Sequence, residues 1–163
     1  MIKAVLAVLI TLSACAERPT TVSLQGGNPP TFVLSGSGNL VRLYISEAVT
    51  PNSDQHRALK PLWVIMPSDL GSSGLEGIPL ESVGKVTYGS LPSGCRQVIP
   101  SDGQPPAELS PGKQYYFHVA TVDAAHASGY FSIKDGRAVA VEIQGHCVYE
   151  RNGEQIDGPC PNH

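Results

Sequence analysis

The C-terminal segment "GHCVYERNGEQIDGPCPNH" sets His146 beside Cys147 and places Cys160 three residues before His163. Thiolate and imidazole are the donors that tetrahedral zinc selects, so a Cys2His2 site is the first chemistry to weigh. The spacing speaks against it. Neighbouring residues on a strand point to opposite faces, so His146 and Cys147 cannot both turn toward one ion. A disulfide asks less, because Cys147 and Cys160 need only lie across a hairpin from each other. Such a bond closes a loop of about 14 residues and contributes roughly 3 kcal/mol by restricting the unfolded chain. We therefore expect a Cys147–Cys160 disulfide and no metal, with Cys95–Cys147 and Cys95–Cys160 as the rival pairings.

A cysteine left over at Cys95 fits best as a small apolar residue facing the core. A nucleophile would need a base and a lowered pKa, and the only charged neighbour is Arg96. His118, Asp123 and His126 invite a Ser-His-Asp reading, but no G-x-S-x-G elbow accompanies them, and "GSSG" at residues 71–74 does not fit one. His118 alternates with Tyr116 and Ala120, which puts it on an outer sheet face. The metalloprotease, P-loop and dinucleotide signatures are missing as well. Acidic residues are dispersed, so paired-carboxylate hydrolysis has no support. We expect no catalytic residue and no cofactor.

Short β-prone runs must position whatever these side chains do. Gly and Pro make up 31 of the 163 residues, a density that favours many strands joined by turns. In "NLVRLYIS", Val41, Leu43 and Ile45 alternate with Leu40, Arg42 and Tyr44, which predicts a half-buried strand with the first set inward. "PLWVIM" reads as a buried strand carrying the single tryptophan. "QYYFHVATV" is the strongest strand pattern. "YFSIKDGRAVAVEI" predicts two strands joined by a tight turn at Asp135-Gly136, and a further hairpin is expected to turn at Asn152-Gly153. "VTPNSDQHRALKP" reads as a loop or a single helical turn, and "PSDLGSSGLEGIP" as a loop. The total is seven to nine strands in an antiparallel sandwich covering residues 31–163, with no amphipathic helix. Tyr115, Tyr116, Phe117, Tyr130 and Phe131 are expected to pack across two neighbouring strands; an exposed aromatic strip for glycan or peptide is the alternative.

The start of the chain, "MIKAVLAVLITLSACAERP", gives an address. Lys3 precedes an apolar stretch over residues 4–12, small residues follow, and the stretch is far shorter than the ~20 residues that span a bilayer. Leu12-Ser13-Ala14-Cys15 resembles the bacterial lipobox. The resemblance implies cleavage after Ala14 and acylation of Cys15, and several acyl chains give a stable anchor. Ala16, rather than Asp, after the cysteine implies sorting to the outer membrane, in the leaflet facing the periplasm. The processed chain holds about 149 residues, a single domain. Its ten basic and fourteen acidic side chains are scattered, which argues against nucleic acid. Residues 15–30, polar and Gly/Pro-marked, read as a lipidated tether.

The segment Leu109-Ser110-Pro111-Gly112-Lys113-Gln114-Tyr115 is similar to the corner of fibronectin type III domains, where a tyrosine hydroxyl bonds back to the chain a few residues upstream. The resemblance assigns that role to Tyr115, with Leu109 filling the core beside Pro111 and Gly112. It likens "GKVTYGSLPSGCRQVIP" to the third and fourth strands, "PLWVIMP" to the second and "SGYFSI" to the last. It covers about a quarter of the chain and implies binding or spacing. The expected function is thus non-catalytic binding or assembly at the envelope, with an envelope protein or glycan as partner. The alternative is an inhibitor or chaperone of envelope enzymes acting through residues 69–79; a hydrolase would require a pocket with a perturbed histidine or carboxylate pair.

Overall fold

The computed structural model describes residues 18–48, 57–69, 76–101, 103–142, 146–151 and 154–159. Three antiparallel sheets form a sandwich with an added outer layer. A small sheet aligns β1 (Thr21–Gln25), β2 (Thr31–Ser35) and β7 (Lys85–Thr87) in that order. A large sheet contains β3 (Asn39–Glu47), β5 (Pro61–Pro67), β8 (Cys95–Ile99), β9 (Gln114–Val122), β10 (Ala127–Lys134) and β11 (Arg137–Val141). Its order is β11-β10-β9-β3-β5-β8, and the two-residue β6 (Ile78–Pro79) also pairs with β3. The third sheet joins β12 (His146–Arg151), β13 (Glu154–Pro159) and the two-residue β4 (Arg57–Ala58). The one helix among the described residues is α1 (Leu80–Val83), a single turn. No helix of the described residues is long and apolar enough to cross a membrane.

The main core lies between the small and large sheets. Phe32 and Val86 face Leu43, Ile45, Trp63, Tyr115, Phe117 and Phe131, and all are buried. Alternation along β9 sends Tyr115, Phe117 and Val119 into this core and turns Tyr116 and His118 the other way. Phe131 lies opposite Tyr115 across the β9–β10 ladder, with ring centroids 5.3 Å apart. A second cluster covers the opposite face: Tyr44, Val64 and Tyr116, with Leu59 and the half-buried Met66, Tyr130 and Val148. Val148 belongs to β12, so the third sheet packs on the outer face of the large one. Tyr116 is 3 % exposed; the aromatics form packed layers and not an open strip.

Four features depart from the expected pattern. The described residues hold thirteen strands rather than seven to nine, partly because several are two- or three-residue pieces. The stretch expected as a tether is structured from Thr21, where β1 pairs with β2 over its whole length; its half-buried Val22 and Leu24 supply the apolar face that a tether lacks. In β3 a bulge between Leu40 and Arg42 shifts the alternation by one residue. Leu40 therefore joins the core, and Val41 does not. The strand assignments drawn from the fibronectin likeness also change. β7 sits in the small sheet and β8 at an edge of the large one, while Trp63 lies on β5, between β3 and β8. The nine-residue β3, not β5, takes the central position beside β9.

Turn chemistry follows the sequence where glycine is required. Asp135 and Gly136 both have positive φ, 50° and 70°, and Lys134 pairs with Arg137. This is the two-residue hairpin geometry that matches strand twist. The second expected turn, Asn152-Gly153, lies outside the described residues.

Candidate functional site

Three places bring chemistry-bearing side chains together: a groove at one end of the sandwich, a histidine pair on the outer sheet face, and the hairpin that carries Cys147.

The groove lies at the end where β7 finishes and β9 begins. Two adjoining cavities of about 410 and 610 Å3 share Gly89, Pro105 and Pro106. The first is bounded by Asn28, Pro29, Tyr88 and Glu108, and the second by Leu91, Cys95, Arg96 and Gln97. Its walls are held from below. Trp63 is fully buried and packs edge-on against Tyr88 at 5.3 Å. Tyr88 Oη donates to the Ala107 carbonyl at 2.7 Å, and burial pushes this phenol up to about 12, so it stays a neutral donor. Gln97, buried on β8, accepts from Trp63 Nε1 at 2.8 Å. Its amide nitrogen donates to the carbonyls of Pro100, at 3.0 Å, and Gln104, at 2.7 Å. One side chain thus joins the core tryptophan to the loop that forms the groove wall. Sequence reading missed this role. The available signal was a polar residue sharing parity with Cys95 and Ile99 in "CRQVI", where a core-facing apolar group is the rule.

The corner resembling fibronectin type III domains adjoins this groove. The Ser110 amide donates to Tyr115 Oη at 2.7 Å. Leu109 is buried in the main core, Gly112 has a positive φ of 78°, and Pro111 forms a bridge to Ile133. Lys113 and Glu47 form an ion pair beside it, which holds the Lys113 ammonium above its ordinary pKa.

Cys95 is a free thiol. Burial raises its pKa, which keeps it protonated and poorly nucleophilic. Because it is free, neither rival pairing through Cys95 is formed. Cys147 is disulfide-bonded and offers no thiolate to zinc. Cys160, its expected partner, lies outside the described residues, as do Cys15 and His163. The Cys147–Cys160 pairing stays the expectation drawn from the sequence. A non-reducing peptide map should recover the two in one linked fragment; a Cys147 fragment linked to any other cysteine overturns the pairing.

On the outer face His118 packs against His126, ring centroids 5.3 Å apart and nearly perpendicular. Tyr116 Oη lies 3.4 Å from His118 Nδ1, and His126 Nε2 lies 3.0 Å from the Thr121 carbonyl. Burial, then His126 and Arg42, push His118 down to about 4. It is therefore neutral and tucked against the sheet, less open to water than an outer-face histidine was expected to be. Among the described residues, neither histidine bonds to a carboxylate or serine. The described residues contain no group of three or more His, Cys, Asp or Glu that could hold a metal.

The same face carries an unsatisfied patch. Ser46 Oγ, Gln114 Oε1 and Ser132 Oγ are buried, with no hydrogen-bond partner within bonding distance among the described residues. Ser132 lies opposite Gln114 across the β9–β10 ladder, and Ser46 lies opposite Tyr116 across β3–β9.

No family model, curated protein or solved structure matches the chain.

Proposed function

We propose that the chain is a lipid-anchored cell-envelope protein, held by an acylated Cys15 in the periplasmic leaflet of the outer membrane, with a non-catalytic binding or assembly role. The observation that carries the reading is the leader of residues 1–14, which ends in small residues directly before Cys15. The groove supports the binding half of the proposal. It is concave, it mixes apolar and polar walls, and the exposed Leu91 stands at its rim, 51 % accessible. The Cys95 thiol in it is raised in pKa and Tyr88 is neutral, which supports recognition over group transfer. The fibronectin type III likeness of the corner points the same way, as a scaffold for binding or spacing.

One experiment with two arms tests this. Cys15→Ser is expected to move the protein from the membrane fraction to the soluble fraction; retention in the membrane overturns the anchor. In the anchored protein, a photo-crosslinker at position 91 is expected to trap a discrete envelope protein or a glycan. Absence of any adduct there, with adducts formed from a surface position such as Val139, removes the groove from the proposal.

A further inference from the structure

The first described residues are tied into the fold. The Arg18 amide donates to Ser37 Oγ at 2.9 Å, and the Ser37 amide donates back to the Arg18 carbonyl at 3.1 Å. The Thr20 amide reaches the Ala125 carbonyl at 3.3 Å, and Thr20 Oγ1 meets Thr121 Oγ1 at 3.1 Å in a buried contact. Residues 18–20 therefore lie in a crease between the β2–β3 turn and the β9–β10 turn. Gly36 shows how close the fit is. A Cβ there would stand 2.8 Å from the Pro19 carbonyl oxygen, and its φ of +133° already disfavours a side chain.

Only Ala16 and Glu17 separate Cys15 from Arg18. Three Cα steps of 3.8 Å reach at most about 11 Å. The polar headgroup layer on each side of a bilayer is itself roughly 5–8 Å thick. A lipid on Cys15 thus leaves no room for the domain to stand away from the surface.

Resting on the lipid-anchor reading, we infer that the protein has no working tether, and that the end of the sandwich formed by Arg18, Ser37 and residues 123–126 is seated on the phospholipid headgroups. The chemistry of this end suits headgroups and not acyl chains. Arg18, Ser37, Asp123, Ala125 and His126 are exposed, and none of the exposed large apolar residues among those described, Leu91, Val98 and Val139, belongs to these turns. Arg18 supplies a cation for lipid phosphate. Strand direction then fixes the rest of the molecule. β3 and β10 leave the seated end and β9 returns to it, so the turns at Gly112 and Gly136, and the groove at Gly89, face away from the bilayer.

The test uses the natively processed protein in vesicles of phosphatidylethanolamine and phosphatidylglycerol containing a gadolinium-headgroup lipid. Amide signals of Ser37, Ala125 and His126 are expected to broaden several-fold more than those of Gly89, Gly112 and Gly136. Equal broadening at both ends, with the protein floating with the vesicles, overturns the seating and leaves the anchor standing. Protein that stays in solution overturns the anchor itself and the seating with it. A second form with twenty Gly/Ser residues inserted between Glu17 and Arg18 is expected to float and to lose the contrast between the ends. Persistence of the contrast in that form overturns the tether-length argument.

Discussion

Gln97→Leu is expected to destabilise the fold by about 2–4 kcal/mol. The replacement leaves Trp63 Nε1 without an acceptor in a fully buried position and removes the donor to two loop carbonyls. A buried donor left unpaired costs about 1–3 kcal/mol, and the carbonyls add less because water reaches them in part. Leucine regains some apolar burial, which keeps the total below the sum of three lost bonds. Gln97→Glu is expected to be no better. A carboxylate still accepts from Trp63 but faces the Pro100 and Gln104 carbonyls with no proton to donate. Urea titration followed by tryptophan emission checks both, because Trp63 is the only tryptophan. A lower midpoint with an unchanged slope is expected, together with a red-shifted native spectrum. A midpoint within experimental error of the wild type would show that the network contributes nothing to stability.

Acidification is expected to weaken the fold through His118 by about 1–2 kcal/mol, the full shift being reduced by solvent screening of this partly exposed ring. The ordinary histidine pKa of 6.5 falls to about 4 in the folded protein. Burial disfavours the charged ring, and His126 and Arg42 add like charge. Above pH 6.5 both folded and unfolded chains carry a neutral His118, and the residue has no effect on the balance. Between 6.5 and 4 the unfolded chain takes a proton that the folded one refuses, so stability falls with pH. Below about 4 both carry it and the loss levels off. Other groups titrate in the same range, so the readout is the difference between wild type and His118→Gln in urea midpoints from pH 7 to 3.5. The wild-type curve should drop more steeply than the variant's; parallel curves would refute the assignment.

Much of the architecture was legible because single strands carry their own pattern. Nine residues of β9 alternate between two apolar faces, and Asp135-Gly136 names its own turn. The all-β sandwich class followed from these and from the Gly/Pro density. What could not be read depends on partners remote in sequence. The bulge at Val41 is imposed by pairing with β9, and nothing in "NLVRLYIS" marks it. β1 looks polar because every second residue faces water, and its strand character appears only when Val22 and Leu24 meet the core. The outer layer was hidden for a similar reason. The second hairpin was legible, but not that Val148 would cover Tyr116. The groove was missed because it is assembled from three separate loops and the strand β8.

The large sheet is covered on both faces, and β3 and β9 each contribute to both clusters. This makes the two layers interdependent: loosening either one exposes the same pair of strands. Amide exchange should therefore be slowest where β3 and β9 run side by side, and the molecule should lose its native structure in one step, not peel layer by layer.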